Sequence, residues 1–252
     1  MSATYPTKLF LAMKSGNLCA LPDCKKRLTS EGIESGSAVI GEAAHIYGEN
    51  PGTVKKKQSA RFREDMTDAE RNHYDNLIYL CPTCHTIIDK QEEDYPAKLL
   101  FKVKREHEEW VEGQLDSSMS DVTFAELEIA AKAIASGNHA ANGDFTVIPP
   151  EEKLGKNNLG GVTRSYIAMG LSRSSEVTSF LSQMSQLDDD YPVRLRDGFK
   201  EKYLELKNDY KSDELFMAML EFAQKGQCDF KQQAASLALL SHLFHLCEVF
   251  EK

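Results

Sequence analysis

The stretch Tyr79-Leu80-Cys81-Pro82-Thr83-Cys84-His85-Thr86-Ile87-Ile88-Asp89 decides how this chain is read. The apolar run 77–80 that leads into it has strand character. Pro82 suits the first turn of a helix, so the stretch is read as a strand passing directly into a helix. Cys81 and Cys84 have the spacing of half a zinc site. On a helix, His85 and Asp89 project from one face, four residues apart. One short segment can therefore serve as a structural clamp on one side and as a reactive surface on the other.

Working outward, the other half of a zinc site is Cys19 and Cys24. Zinc takes four tetrahedral ligands and prefers thiolate, so Cys19, Cys24, Cys81 and Cys84 are expected to bind one structural Zn²⁺. The intervening residues 25–80 are too many for a simple ribbon and should fold on their own. The start of the chain is too polar for a secretory signal, and no apolar run reaches membrane-spanning length. The expectation is a cytoplasmic protein with reduced thiols and no membrane. Cys228 and Cys247 lie in apolar helical contexts and are read as core packing. A net charge of −9 argues against a general nucleic-acid coat but leaves room for a local basic groove.

Between the cysteine pairs, Val39, Ile40 and Ile46 mark strand character, and a turn follows at 48–52. His45 falls near the end of this strand. Next come Lys55, Lys56, Lys57, Arg61 and Arg63, a basic run expected to contact phosphates without reading bases. Asp75 and Asn76 precede the second strand. The order is strand, long loop, strand, helix. His85 and Asp89 can hold a hard divalent ion, Mg²⁺ or Mn²⁺, leaving positions open for water or phosphate oxygen. His45 is then placed to take a proton from water. Asn76 can fix the imidazole or reach the ion. His73, His107 and His139 are read as solvated or capping residues.

The set Cys19/Cys24, Ala44-His45-Ile46, Asp75-Asn76-Leu77-Ile78, Cys81-Pro82-Thr83-Cys84-His85 and Ile88-Asp89 resembles the HNH endonucleases of ββα-metal fold. The likeness extends over about residues 15–112, with Leu99 to Trp110 resembling the closing helix of such domains. It implies that His45 is the general base, that Asn76 supports the geometry of the base or of the metal, and that His85 is a metal ligand. Many members carry an acidic ligand directly before the first histidine. Here Ala44 stands there, which raises the weight on Asp89, with Glu42 a distant candidate. The implied activity is hydrolysis of phosphodiester bonds in double-stranded DNA.

The expected fold class is α+β, a zinc-stabilised HNH domain over residues 1–116 followed by an all-α domain over 162–252. Residues 117–161, rich in Ser, Gly, Asn and Pro, are read as a linker with one helix, in which Leu127, Ala131 and Ile134 share a face. Helices are expected near 162–187, 193–209, 212–224 and 230–251. His242 and His245 read as part of a packed helix. The segments 191–206, 213–223 and 247–252 resemble, more loosely, the C-terminal modules of bacterial ABC three-component anti-phage defence systems. That resemblance implies an ATPase or other defence-system partner, and the apolar helix faces are compatible with a homo-oligomer. Alternatives are a catalytically silent zinc-binding DNA-recognition module, or the HNH subunit of a Septu-type or CBASS-type system.

Overall fold

The computed structural model describes residues 3–32, 36–54, 57–136, 150–246 and 249–251. The chain is mixed α+β, mostly helical, with two small sheets. It divides into two compact units, residues 1–113 and 114–252. Lys55, Lys56, His139 and Cys247 of the sequence reading, and residues 137–149 of the expected linker, lie outside the described residues.

The first unit opens with helix α1 (Tyr5–Lys14), whose N-cap Thr4 accepts a hydrogen bond from the Thr7 amide. Strands β1 (Thr29–Gly32) and β2 (Gly36–Val39) form one antiparallel pair. Strands β3 (Glu42–His45) and β4 (Leu77–Leu80) form the other, with Ala44 opposite Ile78 and His45 opposite Leu77. The single strand expected around Val39 and Ile46 is therefore split between two sheets. Gly41 marks the break, since a Cβ there would lie 2.2 Å from the Tyr79 ring. Val39 and Ile40 are exposed, whereas Ile46 is buried.

Between β3 and β4 the chain makes helix α2 (Asp68–Arg71), started by a capping box between Thr67 and Glu70. A single 3-10 turn over Tyr74–Asn76 then leads into β4. Helix α3 (Pro82–Lys90) follows at once, with Cys81 as N-cap and a proline in its first turn. It packs on β3 and β4. Ala44, Ile46, Leu77, Ile78, Leu80 and Ile88 form the core here, joined by Leu11, Leu28 and Leu100. Leu100 lies on helix α4 (Ala97–Met119), within which the two units divide.

The second unit is helical: α5 (Phe124–Ala135), α6 (Pro150–Lys156), α7 (Gly161–Leu171), α8 (Ser174–Leu187), α9 (Tyr191–Leu206), α10 (Ser212–Gln224) and α11 (Phe230–His245). Helix α11 is buried on nearly all sides and touches α5, α7, α8 and α10, which makes it the axis of the unit. Helix α5 buries Leu127, Ala131 and Ile134 and packs on α9 and α11, so this part of the expected linker is core. The helix expected over 162–187 is two helices, broken at Ser172 and Arg173. The buried positions Tyr166, Gly170, Val177 and Phe180 keep a helical period across the break, which conceals it from sequence reading. The last helix ends at His245, and Val249 and Phe250 are buried beyond it. Lys153, fully buried, donates to the carbonyls of Phe244 at 2.7 Å and Val249 at 2.5 Å. A lysine from the expected linker thus satisfies carbonyls at and beyond the end of α11.

Candidate active site and metal centre

Cys19, Cys24, Cys81 and Cys84 come together, their sulfurs all within 4.8 Å of one another. The first pair lies on a tight turn held by bonds from the Cys19 amide to the Lys26 carbonyl at 2.9 Å and from the Cys24 amide to the Leu21 carbonyl at 3.1 Å. The second pair opens α3. The Ala20 amide joins the turn to β4 through the Tyr79 carbonyl, at 2.9 Å. Cys24 Sγ and Cys81 Sγ are 3.8 Å apart, and a tetrahedron with Zn–S of about 2.3 Å requires sulfurs about 3.8 Å apart. The Cys81 amide donates to Cys19 Sγ and the Cys84 amide to Cys81 Sγ, each at 3.4 Å. Burial pushes the Cys19 thiol up to about 11 and raises Cys84 further. Burial also opposes ionisation of Cys81, yet the Cys84 amide and the neighbouring thiols hold it below its ordinary value. Four such sulfurs, in a protein core, fit a structural zinc ion.

Sequence reading missed the support behind this cluster. Lys25 adopts a left-handed backbone with φ 46°. Its ammonium meets His107 Nδ1 at 2.5 Å and stands 4.5 Å from the Trp110 ring centroid. His107 Nε2 donates to the Ser15 carbonyl at 3.1 Å. His107 was expected to be solvated or capping; it is buried, and burial followed by the Lys25 charge pushes its pKa down to about 4. Nothing in the local sequence distinguishes a buried imidazole from a solvated one on a charged helix.

On the outer side of the same segment, His85 lies between two carboxylates. Its Nδ1 is 2.7 Å from Glu42 Oε2 and its Nε2 is 3.4 Å from Asp89 Oδ2. The Asp89 hydrogen bond raises the imidazole pKa most, against burial, and Glu42 adds to it. Burial opposes ionisation of Asp89, but His85 and Arg61 keep it below its ordinary value. Glu42, only a distant candidate from sequence, reaches His85 because β3 alternation puts it on the same face as Ala44. The four cysteines are the only group of three or more such donors that converges within 4.8 Å among the described residues. Glu42, His85 and Asp89 form a row instead. One imidazole and two carboxylates nevertheless suit a hard divalent ion that keeps several waters.

His45 Nε2 is 3.2 Å from Asn72 Oδ1. The Asn72 amide is turned by its own donation to the Asp68 carbonyl at 2.9 Å. With Asn72 oxygen as acceptor, His45 carries its hydrogen on Nε2 and keeps the Nδ1 lone pair available. Asn76, expected to fix this imidazole or reach the ion, bonds to backbone. Its oxygen accepts from the Tyr47 amide at 2.9 Å, and its nitrogen donates to the carbonyls of Tyr47 at 3.0 Å and Arg71 at 2.8 Å. It is buried, and it ties the strand after His45 to the turn before β4.

Among the basic residues, Arg61 is engaged within the unit. It donates to the Ile46 carbonyl at 2.8 Å, the Ile88 carbonyl at 2.6 Å and Asp89 Oδ1 at 2.8 Å. It therefore joins the residue after β3 to α3 rather than presenting a free cation to phosphate. Arg63 pairs with Asp65 and lies 5.0 Å from the Tyr47 ring centroid. Lys57 is exposed. No helix is long and apolar enough to cross a membrane among the described residues. No family model matches the chain, and no curated protein matches it.

Proposed function

We propose that residues 1–113 are a zinc-stabilised, metal-dependent HNH endonuclease that hydrolyses phosphodiester bonds of double-stranded DNA. The observation that carries the proposal is the antiparallel pair β3–β4 running into α3, with His45 at the end of one strand and His85 on the helix beside Glu42. His45, oriented through Nε2 by Asn72, takes the proton of the attacking water at Nδ1. Asn76 keeps the β3 end and the following turn in register. Glu42, His85 and Asp89 are the residues that would hold Mg²⁺ or Mn²⁺, and the ion would stabilise charge developing on the scissile phosphate. Arg61 fixes Asp89 and so positions one of those ligands. Glu42 supplies the acidic group that Ala44 cannot.

The helical unit is proposed to control or recruit the nuclease, in the manner of an anti-phage defence effector with an ATPase or other protein partner. The test of the catalytic reading is plasmid nicking with added Mg²⁺ or Mn²⁺. His45→Ala should lower the rate by on the order of 10²–10⁴ while zinc content stays at one ion per chain. Asn72→Ala should lower turnover less, without weakening DNA binding. Wild-type cleavage by His45→Ala under matched metal would remove the assigned base.

A further inference from the structure

The second unit contains a cavity that the proposed nuclease chemistry does not use. It has a volume of about 290 Å³ and lies between the end of α6, the C-terminal part of α9, the start of α10 and the chain beyond α11. Its lining includes Lys156, Lys207 and Lys211, with Glu251 the one carboxylate among the described lining residues. Lys156 has its own carboxylate partner, so two ammonium groups, Lys207 and Lys211, stand against Glu251 among the described lining residues, in a chain whose net charge is −9. Like charges gathered around a concavity repel one another, so an arrangement of this kind is stabilised by an anion.

The lining already holds a carboxylate in the place an anion would take. Glu251 Oε1 accepts from Tyr203 Oη at 3.2 Å and from Lys207 Nζ at 3.3 Å. The backbone of Glu251 is tied down separately, its carbonyl accepting from Asn157 Nδ2 at 2.9 Å and its amide donating to Asn157 Oδ1 at 3.1 Å. The side chain can therefore swing away while the chain stays in position. Of the lysines, Lys156 pairs with Glu152 at 2.9 Å, one helical turn back. Lys211 is exposed and has no carboxylate partner among the described residues. One ammonium is thus free, one is shared with a displaceable carboxylate, and a phenolic hydroxyl points to the same oxygen.

We infer that this cavity binds a small phosphomonoester, with the phosphate replacing the Glu251 carboxylate at Lys207, Lys211 and Tyr203. A phosphate carries more charge than the carboxylate and offers three acceptor oxygens, which matches three donors better than one oxygen of Glu251 does. The apolar sides of Tyr203 and Phe250, whose ring centroids are 5.0 Å apart, border the remaining space. A volume of about 290 Å³ leaves room for a group of sugar size beyond the phosphate. The site lies wholly within the helical unit and does not depend on the nuclease reading.

The test is isothermal titration calorimetry of the full chain at low salt with ribose 5-phosphate, adenosine monophosphate, inorganic phosphate, and ribose as the uncharged control. At least one of the two phosphomonoesters should bind with a Kd below about 1 mM, and ribose should give no heat. Lys211→Met, at an exposed position without an ion partner, should fold normally and weaken binding about tenfold. Glu251→Gln should tighten it, because the competing charge is gone. The inference is overturned if neither phosphomonoester binds at about 5 mM, if ribose binds as well as its phosphate, or if inorganic phosphate binds as tightly as the esters. It is equally overturned if binding is unchanged in both Lys211→Met and Glu251→Gln.

Discussion

His107 and Lys25 lie 82 residues apart in the chain and 2.5 Å apart in space. Between them they join α4 to the turn that carries Cys24, and the buried imidazole stays neutral with a pKa of about 4. An unfolded chain would protonate this residue near pH 6.5. Between those values the unfolded state binds a proton that the folded state does not, so folded stability falls as pH drops from about 6.5 towards 4. The expected size is up to about 3 kcal/mol at the acid end. Urea unfolding of wild type and His107→Gln in excess zinc would measure it, since glutamine keeps a donor and an acceptor without titrating. The stability gap between the two should shrink as pH falls from 7.5 to 4.5; a constant gap would mean that His107 binds its proton equally in both states. The same logic of long-range pairing separates Asn72 from Asn76. Both are amides in one loop, and only folding decides that Asn72 meets His45 while Asn76 meets backbone.

At the scale of elements, α3 serves two purposes from its two sides. Its first turn carries Cys81 and Cys84, while His85 and Asp89 face outward one turn apart. Zinc held there would fix the helix on which the proposed reactive residues stand, and would supply folding free energy to a unit with few strand residues. Cys81→Ser should cost the chain its zinc, read as about one ion per chain by elemental analysis of the wild type, and should unfold the first unit by circular dichroism. A folded, zinc-free wild type would refute the assignment. Two glycines give a matched test of packing. A Cβ on Gly170 would lie 2.3 Å from Ser241 Oγ and 2.7 Å from the Leu237 carbonyl, so Gly170→Ala should separate α7 from α11 at a cost of about 1–3 kcal/mol. Gly113 has nothing within 4 Å of such a Cβ, so Gly113→Ala in α4 should stabilise by about 0.5–1 kcal/mol. Melting temperatures moving in opposite directions would bear out both.

For the whole molecule, the division at residues 113 and 114 leaves the four-cysteine cluster, both sheets and His45 in one unit, and the cavity beside Tyr203 and Lys207 in the other. Each has its own buried core, the first around Leu77, Ile78 and Leu80, the second around α11. Residues 1–113 expressed alone should therefore keep zinc and some plasmid nicking, but lose any oligomerisation and partner capture of the full chain. A fragment that assembles and responds as the full chain does would leave the helical unit without a controlling role.

How much of this was open to sequence reading depended on distance along the chain. Cysteine spacing, the strand-to-helix passage at Cys81, and the pairing of His85 with Asp89 are local, set by ligand geometry and helical period, and the residues themselves displayed them. The convergence of Cys19 and Cys24 on Cys81 and Cys84 was also readable, because a thiolate zinc site needs four ligands. Glu42 beside His85, Asn72 behind His45, Arg61 joining the residue after β3 to α3, and Lys153 beneath the last helix were not. Each of these depends on a polar side chain whose partner is brought to it only when strands and helices dock. Sequence by itself determined the clamp and the segments available to build around it. Tertiary structure alone decided which charges are buried, because burial is a property of the packed neighbours and not of the residue.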